Sequence, residues 1–364
     1  MNAERLHAMV ISLNQEIAQT DVIRRMQEMV NALQSVVSQP HPSHQQQLSQ
    51  SLKALYPALV DTTSDRFSPA WRQILCEIGG EDLFGASLKR NIETIIANNQ
   101  MTPAVALEEL QELQRRLQAF KKALDQCAAA LHLFKIGYEE LAPGECEIGL
   151  LIPRTAVNNQ LLGFAGELRD MGFILNTFSE VATGKKDDLE IRTISSTDLL
   201  VYLQAAPQYA ACLAVAVERV VALYKQLLEI KKLRQLIKQQ GVPDKETTGI
   251  ENHANQLMKN GIDKIAVDVV NQYHKRDDKA RKNELTNAVR ISLNRLANRI
   301  DKGFNIEVRA EPIEQSQEED KPDKELHKAV TAIRDATANM QFKKVEGPPI
   351  LALSEANDVP KKKE

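Results

Sequence analysis

From residue 106 to residue 134, apolar side chains return at steps of four and three: Ala106, Leu110, Leu113, Leu117, Phe120, Leu124, Cys127, Leu131 and Phe134. That rhythm keeps one face of an α-helix turned in one direction, so it predicts a long helix whose apolar seam must be covered. Thr102-Pro103 supplies a cap and a first-turn proline at its start. The cover comes from another helix of the same chain, the favoured case, or from another subunit. Leu6, Val10, Leu13 and Ile17, then Ile23, Met26, Val30, Leu33 and Val37, carry the same spacing and predict one amphipathic helix from Glu4 to Ser38.

A polar Gln/Ser/His/Pro stretch from Ser38 to Gln50 reads as a loop. Ser68-Pro69 opens a further helix that Gly79-Gly80 ends, and another runs from about Glu81 to Asn98 with Leu88, Ile92, Ile95 and Ile96 on one side. Residues 1–141 thus form a helical N-terminal region, a bundle or coiled-coil-like arrangement.

The texture changes at Ala142-Pro143-Gly144. Cys146 to Arg154 reads as a strand stopped by proline, and Val157 to Met171 as a helix ended by Gly172. Phe173 to Ala182 reads as a second strand, Thr183 to Asp188 as a hairpin turn, and Leu189 to Ile194 as a third strand. Ser195-Ser196-Thr197-Asp198 is expected to cap a helix, kinked at Pro207, that continues to Gln240. The expected fold is therefore mainly α with a small α/β central module, β-α-β-β-α, over 142–243. The polar second half of its last helix should project from the module. Residues 244–310 add helices at Ile250–His274 and Lys279–Lys302, and Phe304 to Arg309 offers a strand for an edge of the sheet. Residues 311–364 comprise an acidic linker from Glu311 to Lys324, a short helix from Glu325 to Met340, and a tail from Glu346 read as disordered.

Aromatic residues are only 4% of the chain, which favours helix-on-helix packing of Leu, Ile, Val and Ala. The formal net charge of −3 gives no global basic field for nucleic acid. Cys76, Cys127, Cys146 and Cys212 form no CxxC pair, and Cys127 and Cys212 in apolar helices read as buried free thiols. The first residues lack the order of a signal peptide, so a cytoplasmic chain is expected. The uncharged run from Leu199 to Val217 is interrupted by Gln204, Pro207 and Gln208. It is read as a buried helix, with membrane association through 199–217 the minor alternative.

No constellation of residues announces catalysis. Glycines lack the spacing of a phosphate loop. The histidines (His7, His41, His44, His132, His253, His274 and His327) have no zinc-type spacing, so no metal ligands and no cofactor are assigned. Asp187-Asp188 fit a hairpin tip, Asp277-Asp278 a helix junction, and the Ser195–Asp198 hydroxyls a cap. Candidate partner-binding residues are Leu110, Leu113, Leu117, Phe120 and Leu124 of the long seam, with Leu233 and Leu236 on the projecting helix end. A second, less favoured candidate is a nucleic-acid face of Arg281, Lys282, Arg290, Arg295, Arg299 and Lys302. Aromatic residues are scarce there, so base stacking is not its mode.

Ile78-Gly79-Gly80, Thr102-Pro103-Ala104, Pro143 to Gly149, Ile152-Pro153-Arg154, Phe178-Ser179-Glu180 and Ile191 to Ser196 resemble an uncharacterised bacterial protein family over Phe67 to Pro243. The strand from Ile191 to Ser196, running into an Ala-rich stretch, faintly resembles interaction modules of bacterial signalling and conflict systems. That resemblance implies an adaptor or defence component and no particular activity. The leading expectation is a non-enzymatic interaction or scaffold protein, self-associating or holding a protein partner through helices. A nucleic-acid-binding regulator is the alternative, and an enzyme whose site is assembled only in space is the third reading.

Overall fold

The computed structural model describes residues 3–138, 141–186, 188–195, 199–241, 243–275, 278–313, 321–340 and 347–355. The chain divides into two compact units, 1–140 and 141–364.

In the first unit, the expected helix from Glu4 to Ser38 is two helices, α1 (Ala3–Thr20) and α2 (Val22–Ser38). Asp21 between them has φ +51°, a left-handed conformation that Asp tolerates better than most residues. The guanidinium of Arg25 donates to the Thr20 carbonyl at 3.0 Å and holds the joint. The predicted loop over Ser38–Gln50 is also corrected, because α3 runs from Pro42 to Ala58. The His41 ring accepts from the Ser43 amide at 3.2 Å, and Pro42 sits in the first turn. Leu55 is buried, with Leu48 and Leu52 packed behind it, so a helical face outweighs the polar composition.

A 3₁₀ turn at Ser64–Arg66 leads to α4 (Pro69–Glu77), where the Ser68 hydroxyl accepts from the Trp71 amide at 3.4 Å. α5 (Gly85–Asn98) has no cap of its own. Asp65 replaces it from a distance, one carboxylate oxygen accepting from the Ala86 amide at 2.9 Å and the other from the Thr62 amide at 3.1 Å. The long seam belongs to α6 (Pro103–Leu133), and α1, α2 and α5 pack on it. From Ala106 to Cys127 its cover therefore comes from within the chain, whereas Phe134 is exposed.

The second unit holds a four-stranded antiparallel sheet in the order β2-β3-β1-β4. Its elements are β1 (Cys146–Ile152), α7 (Leu161–Thr183), β2 (Ile191–Ser195), β3 (Leu199–Ala205), α8 (Pro207–Gln239), α9 (Asp244–Tyr273), α10 (Lys279–Asp301), β4 (Asn305–Ala310) and α11 (Lys321–Asn339). The β-α-β-β-α order holds, yet two of its pieces differ from expectation. Residues 173–182 lie in α7, because Met171, Ile174, Leu175, Phe178 and Val181 share a buried helical face that runs straight through Gly172. Gly184, at φ +78°, closes that helix where a hairpin was expected; Asp187 lies outside the described residues.

The helix expected from 199 begins instead as β3, whose Leu-Leu-Val-Tyr-Leu run favours a strand. Pro207 starts α8 rather than kinking it. The uncharged stretch 199–217 is thus half strand and half buried helix. Among the described residues no helix is long and apolar enough to cross a membrane. Ser196 to Asp198, the proposed cap, lie outside the described residues.

Gly149 sits in the middle of β1, opposite Tyr202 and Glu307. A Cβ there would come within 2.8 Å of the Tyr202 ring and 2.9 Å of the Glu307 side chain, so the strand needs glycine. β4 pairs with β1 at the sheet edge, where the alternation of 304–309 placed it. Residues 314–320 of the expected linker lie outside the described residues. The tail is corrected in part: Ile350, Leu351 and Leu353 are buried in the core of this unit. Residues 346 and 356–364 are outside the described ones.

Candidate interaction site

α10 begins where the Asp278 carboxylate accepts from the amides of Ala280 and Arg281. Leu285, Val289, Leu293, Leu296 and Ile300 bury one stripe of it in the core, as their spacing predicts. Beside that stripe Asn294, Asn298 and Asp301 fall at i, i+4 and i+7, so they line one flank of the helix. Against this flank and against α9 lies the strap formed by residues 350–355, whose main chain the side chains grip.

Asp301 is only 1% exposed. One carboxylate oxygen accepts from the Lys231 ammonium at 2.8 Å and from the Tyr224 hydroxyl at 2.6 Å. The other accepts the main-chain N–H of Ile350 at 2.5 Å and of Leu351 at 2.7 Å. Burial first, then the Asp301 carboxylate, holds the Tyr224 hydroxyl pKa above its ordinary value.

Further along, Asn298 makes a two-sided grip on Leu353. Its Oδ1 accepts the Leu353 amide at 3.0 Å, while Nδ2 donates to the Leu353 carbonyl at 3.0 Å and to Glu355 Oε1 at 2.8 Å. Asn255 of α9 accepts the Ala352 amide at 2.7 Å and donates to the Ile350 carbonyl at 3.3 Å. Asn294 donates to the Ser354 carbonyl at 2.9 Å, and Arg295 to the Glu355 carbonyl at 3.2 Å. Ile350, Leu351 and Leu353 point inward, whereas Ala352 and Ser354 are exposed. Recognition of this kind reads a backbone by hydrogen bonds and its sequence by the apolar side chains that become buried.

Of the six basic residues singled out in the sequence, the four arginines face carboxylates. Arg299 is 4% exposed and lies between Glu167 at 2.7 Å, Asp170, and Glu355 at 3.5 Å. Arg295 faces Asp170 at 3.6 Å and stacks over the Phe173 ring, 4.4 Å from its centre. Arg290 pairs with Asp263 at 2.6 Å, and Arg281 with Glu180 and Glu284. Lys302 is exposed at the end of α10, and Lys282 is half-buried near its start. The arginines of this face are thus ion-paired.

The seam candidates are placed inside the first unit. Leu110, Leu113, Leu117 and Leu124 are buried, and Phe120 is half-covered, edge-on to Phe84. They offer no docking face while α1, α2 and α5 cover them, which corrects their role as surface anchors. Leu233 and Leu236 are 53% and 56% exposed on the second half of α8. Lys231 and Arg234, on the other side of that half, are buried; Arg234 pairs with Glu251.

Sequence reasoning placed Tyr224 in the core, where it lies, but passed over Lys231, Asn255, Asn294, Asn298 and Asp301. A usable signal was present: asparagine is a poor helix former, yet it recurs four residues apart beside an apolar stripe. The Ile350-Leu351-x-Leu353 pattern is likewise unlike a solvated tail.

Of the cysteines, Cys146 and Cys212 are buried, Cys127 is half-buried and Cys76 is exposed. Among the described residues no group of three or more His, Cys, Asp or Glu side chains is placed to hold a metal ion. Comparison with known proteins finds no matching family model, curated protein or solved structure.

Proposed function

We propose that this chain is a non-catalytic interaction protein that captures an extended polypeptide segment in a cradle formed by α9 and α10. The observation that carries this reading is the commitment of Asn255, Asn294, Asn298 and Asp301 to main-chain groups of residues 350–355. Side chains that bond amides and carbonyls, with apolar sockets between them, suit docking better than bond-making chemistry. The exposed Leu233 and Leu236 add a second surface of the kind an adaptor uses. The faint likeness of the strand at Ile191 to interaction modules of bacterial signalling and conflict systems points the same way.

The test uses the full chain with Leu351→Asp and Leu353→Asp, which removes two apolar anchors and frees the cradle. A fluorescein-labelled peptide spanning 347–355 should bind this variant saturably in anisotropy measurements. Binding should weaken at least tenfold when Asn298→Ala is added. A variant that keeps the wild-type circular dichroism spectrum yet binds no peptide refutes the reading.

A further inference from the structure

We infer that the cradle accepts residues 350–355 from a second copy of this chain, so that copies join by exchanging straps. This rests on the capture reading above and names the partner.

The cradle is complementary to one occupant on the page, the sequence Ile-Leu-Ala-Leu-Ser-Glu, and every copy brings that sequence with it. The strap itself belongs to no helix and no ladder. Its main-chain hydrogen bonds go to side chains of α9 and α10, and each of those bonds is reproduced unchanged when the strap comes from another copy. The choice between its own strap and a neighbour's is then set by local concentration rather than by contact energy.

The cradle also tolerates being emptied. Asp301 keeps Lys231 and Tyr224 when the two strap amides leave. Arg299 keeps Glu167 and Asp170, Arg295 keeps Asp170 and the Phe173 face, and Asn255 keeps the Glu251 carbonyl at 2.8 Å. No buried charge is stranded when the strap leaves, and the amides of Asn294 and Asn298, whose bonds described above go to the strap, are then open to the next one. At the strap's start, Gly347 turns with φ +78° into Pro348-Pro349, whose fixed φ angles favour an extended arm.

Complementary defects test the proposal. One full-length variant, Asn255→Ala with Asn298→Ala, has a weakened cradle and an intact strap. The other, Leu351→Asp with Leu353→Asp, has an intact cradle and a weakened strap. Light scattering after size exclusion should give each alone a mass near 40.7 kDa and their equimolar mixture twice that. Adding Asn298→Ala to the strap-weakened partner should return the mixture to monomer.

A mixture that stays monomeric while both variants are folded overturns the proposal. So does a strap-weakened variant that self-associates as well as the mixture does. If labelled peptide still binds the strap-weakened variant in that case, capture stands and exchange fails; if it does not, both fail. Should either variant not fold, hydrogen exchange on the wild-type chain decides. The amides of Ile350, Leu351 and Leu353 should exchange well ahead of those in α10, and exchange only in step with α10 overturns the proposal.

Discussion

Lys231→Met tests whether the strap's anchor is an ion pair sealed inside the second unit. The Lys231 and Asp301 side chains are 6% and 0% exposed, with Nζ 2.8 Å from the carboxylate. Removing the cation strands a buried carboxylate that retains three donors, the Tyr224 hydroxyl and the amides of Ile350 and Leu351. Breaking a buried pair from one side costs about 3–5 kcal/mol. That corresponds to amides of α8 and α10 exchanging roughly a hundred- to several-thousand-fold faster, at a tenfold change for each ~1.4 kcal/mol. Native-state hydrogen exchange with mass spectrometry reads the effect on those helices directly. The companion variant Lys231→Met with Asp301→Asn removes the stranded charge, so it should recover part of the loss, on the order of 1–3 kcal/mol. A single variant that loses less than about 1 kcal/mol, or a double variant less stable than the single one, refutes a pair held out of water.

Glu16 accepts the Ser64 amide at 2.6 Å and the Ser64 hydroxyl at 2.9 Å, and burial raises its pKa above the usual 4.5. The folded state therefore holds this proton more tightly than the unfolded chain. Its contribution is complete below the unfolded value and fades as pH rises through the raised one. Glu16→Gln should accordingly gain melting temperature relative to wild type between pH 4 and pH 7, and a gain in the opposite direction contradicts the assignment. Gly85→Ala should destabilise the first unit by about 1–3 kcal/mol, read by Trp71 fluorescence in urea. The residue has φ +49°, and its new Cβ would fall 2.5 Å from the Asp65 oxygen that caps α5. Burial lifts the Cys146 thiol pKa to about 12 and raises that of Cys212 as well, so mass spectrometry after N-ethylmaleimide at pH 7.5 should find both unlabelled until denaturant is added.

Periodic patterns were readable wherever one helix face is buried by neighbours close in the chain. The α6 seam, the α10 stripe and the alternation in β4 all appeared at their places. Patterns that depend on which neighbour arrives were not. Residues 173–182 are apolar enough for strand or helix, and only the packing of α7 on α8 and α10 selects the helix. The run 199–205 becomes a strand because β1 and β2 lie on either side to complete its hydrogen bonds.

For the site the division is sharper. The sequence marks Arg295 and Arg299 as a basic face; Glu167 and Asp170 on α7, more than a hundred residues earlier, turn it into ion pairs. The local order of residues by itself determined two things: that the chain is mainly helical around a small sheet, and that the seam from Ala106 to Cys127 needs a cover. Tertiary structure alone decided that α1, α2 and α5 supply that cover, and that the residues around Leu351 have a socket to enter. Periodicity records only that a face wants burial, and a cradle is built from side chains that sequence distance keeps apart.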